Sequence, residues 1–199
     1  MAHDEQPDSG RRKLLTVATS IAGGVAAGAA SVPFIMSMWP SRAALAAGAP
    51  VEADISQLKP GERMIVEWRG KPVWILYRTP EMLKAIVKDN DKVADPNSKN
   101  TDQQPAFAQN EYRSIKPEYL VLVGICTHLG CSPVDRLAAV PEPFDPTWQG
   151  GFYCPCHGSL FDLAGRVFKN KPAPDNLVVP PYKYLSDTRL LIGVGEKEA

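Results

Sequence analysis

The feature that most constrains this chain is a run of 28 residues, from Leu14 to Ser41, without an ionisable side chain. A helix of roughly 20 apolar residues crosses a bilayer core of about 30 Å, and a cleaved secretory signal usually has an apolar region of only about 7–15 residues. The run therefore predicts a single transmembrane helix at 14–39. Basic residues at 11–13 directly precede it, and such residues usually stay in the cytoplasm. We therefore expect a cytoplasmic tail at 1–13 and the rest of the chain across the membrane.

The pair Arg11-Arg12 is similar to a twin-arginine export signal, although the same arginines also serve as ordinary positive-inside charge. Residues 44–46, Ala-Leu-Ala, are typical of a signal peptidase site, but an uncleaved anchor is the favoured interpretation. Five of the twelve residues at 40–51 are alanine, with one glycine and two prolines. This composition predicts a flexible hinge linker, and it is equally typical of a passive spacer.

Residues 52–199 have the pattern of a mainly β domain. The chain contains 19 prolines, which disfavours a helical body. Apolar runs on either side of Gly70 are typical of a hairpin, and Thr79 followed by Pro80 is typical of a helix start. The predicted elements are hairpin strands Arg63–Arg69 and Pro72–Arg78, a short helix Glu81–Val87, a polar surface loop Lys88–Asn110, and strands Tyr119–Ile125, Leu177–Val179 and Leu190–Val194.

Two short loops carry all four cysteines and two of the three histidines. The first is C-T-H-L-G-C at 126–131, and the second is C-P-C-H-G-S at 154–159. Cysteine and histidine together bind zinc, iron–sulfur clusters or copper. The six candidate ligands by themselves therefore do not identify the metal. The spacing gives each loop one thiolate and one imidazole. A [2Fe–2S] cluster with two cysteines on one iron and two histidines on the other needs that supply; a structural zinc site is the alternative.

The two boxes closely resemble the signature sequences of the Rieske iron–sulfur proteins of cytochrome bc-type complexes. The similarity also covers the anchor, the linker and a Pro loop, K-P-A-P at 171–174, and so spans most of the chain. It implies an antiparallel Rieske-type domain with a cluster-binding subdomain that holds one [2Fe–2S] cluster. The implied ligands are Cys126 and Cys154 on one iron, with His128 and His157 on the other. The remaining pair, Cys131 and Cys156, is implied to form a disulfide, which is stable outside the cytoplasm.

Three residues near the boxes bear on the reduction potential and on access to the cluster. The hydroxyl of Ser159 is expected to donate a hydrogen bond to a cluster sulfur, which raises the potential; an ordinary turn serine is the alternative. Many quinol-oxidising relatives carry a tyrosine donor where this chain has Phe161, so we expect a lower potential here. The resemblance also implies that Leu129 shields the cluster and packs against the quinone site.

The resemblance implies the electron-transfer subunit of a membrane quinol:cytochrome c oxidoreductase. His157 is the implied quinol contact and proton acceptor, with His128 also exposed. The implied partners are ubiquinol, the lipid bilayer, a cytochrome b subunit and a c-type cytochrome, in a dimeric complex. The implied location is the bacterial inner membrane, with the cluster domain on the periplasmic side. Lys plus Arg and Asp plus Glu both number 22, so no nucleic-acid partner is expected.

Other Rieske-type proteins are the competing interpretations. A Rieske-type oxygenase needs a second iron held by two histidines and a carboxylate. The third histidine of this chain is His3 in the tail, so an oxygenase is excluded. A soluble Rieske ferredoxin lacks an anchor and usually the second cysteine pair. The small Rieske subunit of a periplasmic oxidase such as arsenite oxidase, which also uses twin-arginine export, stays open as the alternative.

Overall fold

The computed structural model describes residues 8–42, 44 and 48–195. The chain divides into two compact units, residues 1–46 and 47–199. The predicted tail at 1–13 and the predicted hinge at 40–51 lie partly outside the described residues, as does the Ala-Leu-Ala sequence at 44–46.

The N-terminal unit contains a long helix, α1 (Ser9–Ser37). Within the described part of the chain, it is the one helix long and apolar enough to cross a membrane. It begins at Ser9 rather than at residue 14 because Asp8 caps it. The Asp8 carboxylate accepts hydrogen bonds from the backbone N–H groups of Gly10 at 2.9 Å and Arg11 at 3.4 Å, which would otherwise lack partners. The helix ends at Ser37 rather than at residue 39.

The second unit is built from three antiparallel sheets of three strands each, so the predicted mainly β class is confirmed. Their strand orders are β1-β9-β8, β2-β3-β4 and β5-β6-β7. The strands are β1 (Val51–Asp54), β2 (Arg63–Trp68), β3 (Lys71–Tyr77), β4 (Tyr119–Val123), β5 (Val134–Arg136), β6 (Gly151–Cys154), β7 (Ser159–Asp162), β8 (Tyr182–Ser186) and β9 (Arg189–Ile192). One helix, α2 (Pro80–Lys88), and two short 3₁₀ turns, Thr101–Gln103 and Ala106–Ala108, complete the described elements.

The predicted hairpin and the predicted short helix are both confirmed. Strands β2 and β3 pair along their whole length. The turn residues Arg69 and Gly70 have φ of 52° and 68°, as expected for a two-residue type I′ turn. Helix α2 has Pro80 in its first turn, and the hydroxyl oxygen of Thr79 accepts the N–H of Met82 at 3.3 Å. The cap and the proline therefore act as the sequence indicates.

Two predictions about the irregular segments were wrong. Residues 88–110 are polar on average but not confined to the surface, since Val93 and Ala108 are fully buried. Residues 177–179 are extended but form no strand. Their backbone groups bond to three separate segments: Leu177 donates to Gly165, Val123 donates to Val178, and Val179 donates to Gln103. Because no single neighbour runs alongside, burial of this apolar run produces no ladder.

The core centres on β3 and β4, whose residues 73–76 and 120–123 are all buried. Beside it lies a buried polar network that the sequence did not predict. Arg166 pairs with Asp162 at 2.7 Å and also donates to the C=O of Ile86 in α2 at 2.6 Å. Burial lowers the pKa of two further arginines, Arg78 and Arg113, to about 10, so each stays protonated at neutral pH. These guanidinium groups bond mainly to backbone carbonyls and thereby fix irregular segments that no sheet holds.

Candidate metal centre

The two cysteine–histidine loops follow strands of different sheets. Cys126 lies three residues beyond the end of β4, and Cys154 is the last residue of β6. The first loop closes because the N–H of Cys126 donates to the C=O of Cys131 at 2.8 Å. The second is the β6–β7 turn, where the N–H of Gly158 donates to the C=O of Cys154 at 2.9 Å. Gly130 and Gly158 have φ of 84° and 76°, a region that suits glycine.

The disulfide that the resemblance implied is present. Cys131 and Cys156 are bonded across a sequence separation of 25 residues and join the first loop to the second. Their sulfurs and that of Cys154 lie within 4.8 Å of one another. A thiolate is the form of cysteine that binds metal, so the two disulfide sulfurs are not available as ligands. Of these three sulfurs, that of Cys154 remains.

Cys126 and Cys154 form no disulfide, and they are 3% and 2% exposed. Burial raises the pKa of the Cys126 thiol above its ordinary value. The backbone N–H of His128 and the hydroxyl of Ser159 oppose this by hydrogen bonding to the sulfur, whereas the adjacent Cys154 thiol adds to it. The two free thiols are thus close enough for Cys154 to affect the pKa of Cys126.

The two histidine rings also meet at this point. The rings of His128 and His157 are arranged edge to face, with centroids 4.7 Å apart. His157 is exposed and His128 is half-buried. The Nδ1 atom of His128 is buried and has no hydrogen-bond partner among the described residues. A buried polar atom without a partner is costly, and coordination to a metal removes that cost. The donor set therefore fits a metal group bound by two thiolates and two imidazoles.

The Pro loop at 171–174 and the adjacent Asp175 are hydrogen-bonded to the first two loops. The hydroxyl oxygen of Ser159 accepts the backbone N–H of Ala173 at 3.0 Å. The hydroxyl of Thr127 donates to the C=O of Asp175 at 2.6 Å. The role of Thr127 was missed from the sequence, and its position between two candidate ligands was the available signal. All three loops are thus tied to one another by side chains within the two boxes.

Two neighbouring apolar residues have opposite environments. Phe161 on β7 is fully buried and lies opposite Phe152 of β6. Leu129, in the first loop, is 71% exposed. A large apolar side chain this exposed, beside two histidines, provides contact area for a partner or an apolar ligand.

Comparison with known families identifies the domain. Residues 50–183 match the model of the Rieske [2Fe-2S] domain, and residues 1–41 match the "Ubiquitinol-cytochrome C reductase Fe-S subunit TAT signal". The second match confirms the predicted twin-arginine signal. The first decides for an iron–sulfur site over zinc.

Curated relatives named "Ubiquinol-cytochrome c reductase iron-sulfur subunit" match over nearly the whole chain. The protein of Allochromatium vinosum is 60% identical over 92% of this chain and 88% of its own length. That of Blastochloris viridis is 40% identical over 98% of this chain and 99% of its own. That of Bradyrhizobium diazoefficiens is 42% identical over 92% of this chain and 94% of its own length. These relatives give no support to the arsenite oxidase alternative. The chain therefore belongs to the Rieske [2Fe–2S] family, among the iron–sulfur subunits of ubiquinol–cytochrome c reductase.

Proposed function

We propose that this protein is the electron-transfer subunit of a membrane quinol:cytochrome c oxidoreductase. It accepts one electron from ubiquinol and passes it to a c-type cytochrome, within a dimeric complex that also contains a cytochrome b subunit. The observation that carries the proposal is that a disulfide joins two loops, each with one free thiol and one imidazole, and that the two imidazole rings lie 4.7 Å apart. The names of the relatives, which share 40–60% of their sequence with this chain, support the assignment of substrate and complex.

The proposed ligands are the two buried thiolates on one iron and the two imidazoles on the other: Cys126, Cys154, His128 and His157. The unpartnered buried Nδ1 of His128 supports its role as a ligand atom, since a Rieske centre requires two histidine nitrogens. When bound, the [2Fe–2S] cluster supplies a one-electron redox centre. Ser159 donates its hydroxyl to sulfur and so favours the more negative, reduced state.

The exposed side chains at the tip of the domain bind the quinol. His157 is the more exposed of the two ring residues, and its ring nitrogen that does not bind iron accepts the hydrogen bond, and then the proton, of a quinol hydroxyl. His128 is the second such contact. Leu129 packs against the apolar part of the quinol site and excludes water from the cluster.

The N-terminal unit anchors the domain. Helix α1 is apolar over the length that a bilayer requires, and basic residues lie at its start. We propose that the N-terminus is cytoplasmic, that the anchor is uncleaved, and that the cluster domain lies on the periplasmic side. Residues 40–51 serve as the hinge on which the domain moves between quinol and cytochrome. Replacement of residues 43–48 by a rigid helical segment should slow turnover and leave the cluster spectrum unchanged; unchanged turnover would refute the hinge.

The experiment that tests the function is EPR of the dithionite-reduced, full-length protein in detergent, with iron, zinc and acid-labile sulfide determined on the same sample. We expect two irons and two sulfides per chain and a [2Fe–2S] spectrum. Stoichiometric zinc without sulfide would contradict the proposal. A redox titration at several pH values then tests the proton coupling. One proton per electron lowers the midpoint potential by about 59 mV per pH unit. Co-purification with a b-type cytochrome tests the assignment to the complex.

A further inference from the structure

The ring of Trp74 lies between the chain segments that lead into the two free cysteines. It is 3% exposed on β3. A Cβ atom built on Gly124, two residues before Cys126, would lie only 2.1 Å from the Trp74 ring, so that ring packs directly on the backbone. The ring of Phe152, two residues before Cys154, lies 5.1 Å from the Trp74 ring between centroids. One side chain therefore contacts the approach to both thiols.

This contact matters because no ladder fixes the spacing of the two cysteines. Cys126 follows a strand of the β2-β3-β4 sheet, whereas Cys154 ends a strand of the β5-β6-β7 sheet. Backbone hydrogen bonds hold strands at a fixed spacing only within a sheet. Between sheets the separation is set by the side chains that fill the space, here together with the Cys131–Cys156 disulfide that joins the two loops. At the end where the cysteines lie, the Trp74 ring contacts Gly124, which precedes Cys126, and Phe152, which precedes Cys154.

An ion pair holds the two sheets against the same ring. The guanidinium carbon of Arg63, on β2, lies 4.4 Å from the centroid of the Trp74 ring, a cation–π distance. The Nη1 atom of Arg63 is 2.9 Å from Oδ1 of Asp135 on β5. Asp135 lies directly opposite Phe152 in the β5–β6 ladder. The pair thus joins the two sheets at the place where the ring separates them.

We infer that Trp74 is a positioning residue that sets the separation of Cys126 and Cys154, with the Arg63–Asp135 pair holding the two sheets against it. The inference rests on the proposed function, since it concerns the thiols that bind the cluster. The effect of the Trp74 ring reaches the cluster through the geometry of the two sulfur ligands, on which cluster retention and potential both depend.

The test is Trp74→Phe in the full-length protein in detergent, with Trp68→Phe as the matched control. Trp68 is also buried, and its ring lies against Gly193, which directly follows β9 of another sheet; a Cβ built on Gly193 would lie 2.5 Å from the ring. Gly193 leads to no cysteine, so the control removes the same atoms from a similar contact. The readouts are the EPR g values of the reduced cluster, the midpoint potential, and the rate of iron release to a chelator. Asp135→Asn is the second variant, because it leaves the core intact.

We expect Trp74→Phe to shift the g values and to release iron about 10-fold faster than the wild type, the usual scale for residues that support metal ligands. Trp68→Phe should have the g values and the iron-release rate of the wild type, although it loses about as much thermal stability as Trp74→Phe. Equal g values and release rates in the two variants would overturn the inference. If Trp74→Phe does not fold, Asp135→Asn decides: faster iron release supports the inference and wild-type release refutes it. A wild-type protein without iron and sulfide would overturn the proposed function first, and this inference with it.

Discussion

The hydroxyl oxygen of Ser159 accepts a hydrogen bond from the backbone N–H of Ala173 at 3.0 Å. That bond uses a lone pair of the oxygen and leaves the hydroxyl hydrogen available, and hydrogen bonding by Ser159 works against the burial that raises the pKa of the Cys126 thiol. Ser159 therefore fastens the Pro loop, and we propose that its hydroxyl hydrogen also donates to a cluster sulfur. The tie to the Pro loop was not predicted from the sequence.

Replacement of Ser159 by alanine should lower the midpoint potential. The lost hydrogen bond stabilised the reduced, more negative state, and a hydrogen bond of about 1.4 kcal/mol corresponds to about 60 mV for one electron. The measurement is a redox titration of Ser159→Ala followed by EPR. Ser186→Ala is the control, since the hydroxyl oxygen of Ser186 accepts the exposed backbone N–H of Thr188 in the turn after β8. A potential equal to that of the wild type would mean that Ser159 is only a turn residue.

Replacement of Phe161 by tyrosine should raise the midpoint potential. Phe161 stands where many quinol-oxidising relatives have a tyrosine that donates to a cysteine sulfur, and here the position lacks a donor. The side chain is fully buried, so an added hydroxyl is driven to find a partner. Phe168→Tyr is the control, because Phe168 is also buried but packs in a separate aromatic cluster with Trp148. No rise in Phe161→Tyr would contradict the expectation of a lowered potential in the natural chain.

The parts of this protein that could be predicted from the sequence are those determined by residues close together in the chain. The hairpin depends on a two-residue turn, α2 on the Thr79 cap, and the site on spacings within two short boxes. The parts that failed depend on distant partners. Residues 177–179 are apolar, as in a strand, but their backbone groups bond to three different segments. The short strands β5 to β7 form because each finds a neighbouring strand with which to pair. The contact of Trp74 with Gly124 joins residues 50 positions apart, which no local pattern encodes.

Removal of the disulfide should loosen the site as well as the fold. Cys131 and Cys156 close a loop of 25 residues, and a cross-link of that length stabilises a folded chain by about 3 kcal/mol. The double variant Cys131→Ser, Cys156→Ser should therefore lose that much free energy of unfolding and should release iron faster. Denaturant titration and a chelator assay measure the two effects. Release at the wild-type rate would show that the other loop contacts suffice to hold the site.

Asp89, at the end of α2, is a buried carboxylate away from the site. Burial raises its pKa from 3.8 to about 6, although Lys92 at 3.2 Å opposes the shift. Between about pH 4 and pH 6, Asp89 is therefore protonated in the folded protein and ionised in the unfolded chain. The contribution of Asp89 to the free energy of unfolding is therefore most favourable below about pH 4, and it becomes less favourable as the pH rises to about 6.

Replacement of Asp89 by asparagine should remove this pH dependence and stabilise the protein at pH 7. The shift sets an upper limit of about 3 kcal/mol, and screening by solvent and by Lys92 reduces the expected gain to about 1–2 kcal/mol. Lys92 keeps partners in the variant, because its ammonium also contacts Asp145 at 3.4 Å and the hydroxyl of Thr147 at 2.9 Å. The measurement is the free energy of unfolding of Asp89→Asn and wild type at pH 4, 6 and 7. The two curves should converge at pH 4 and separate above it; parallel curves would show that Asp89 does not titrate in this range.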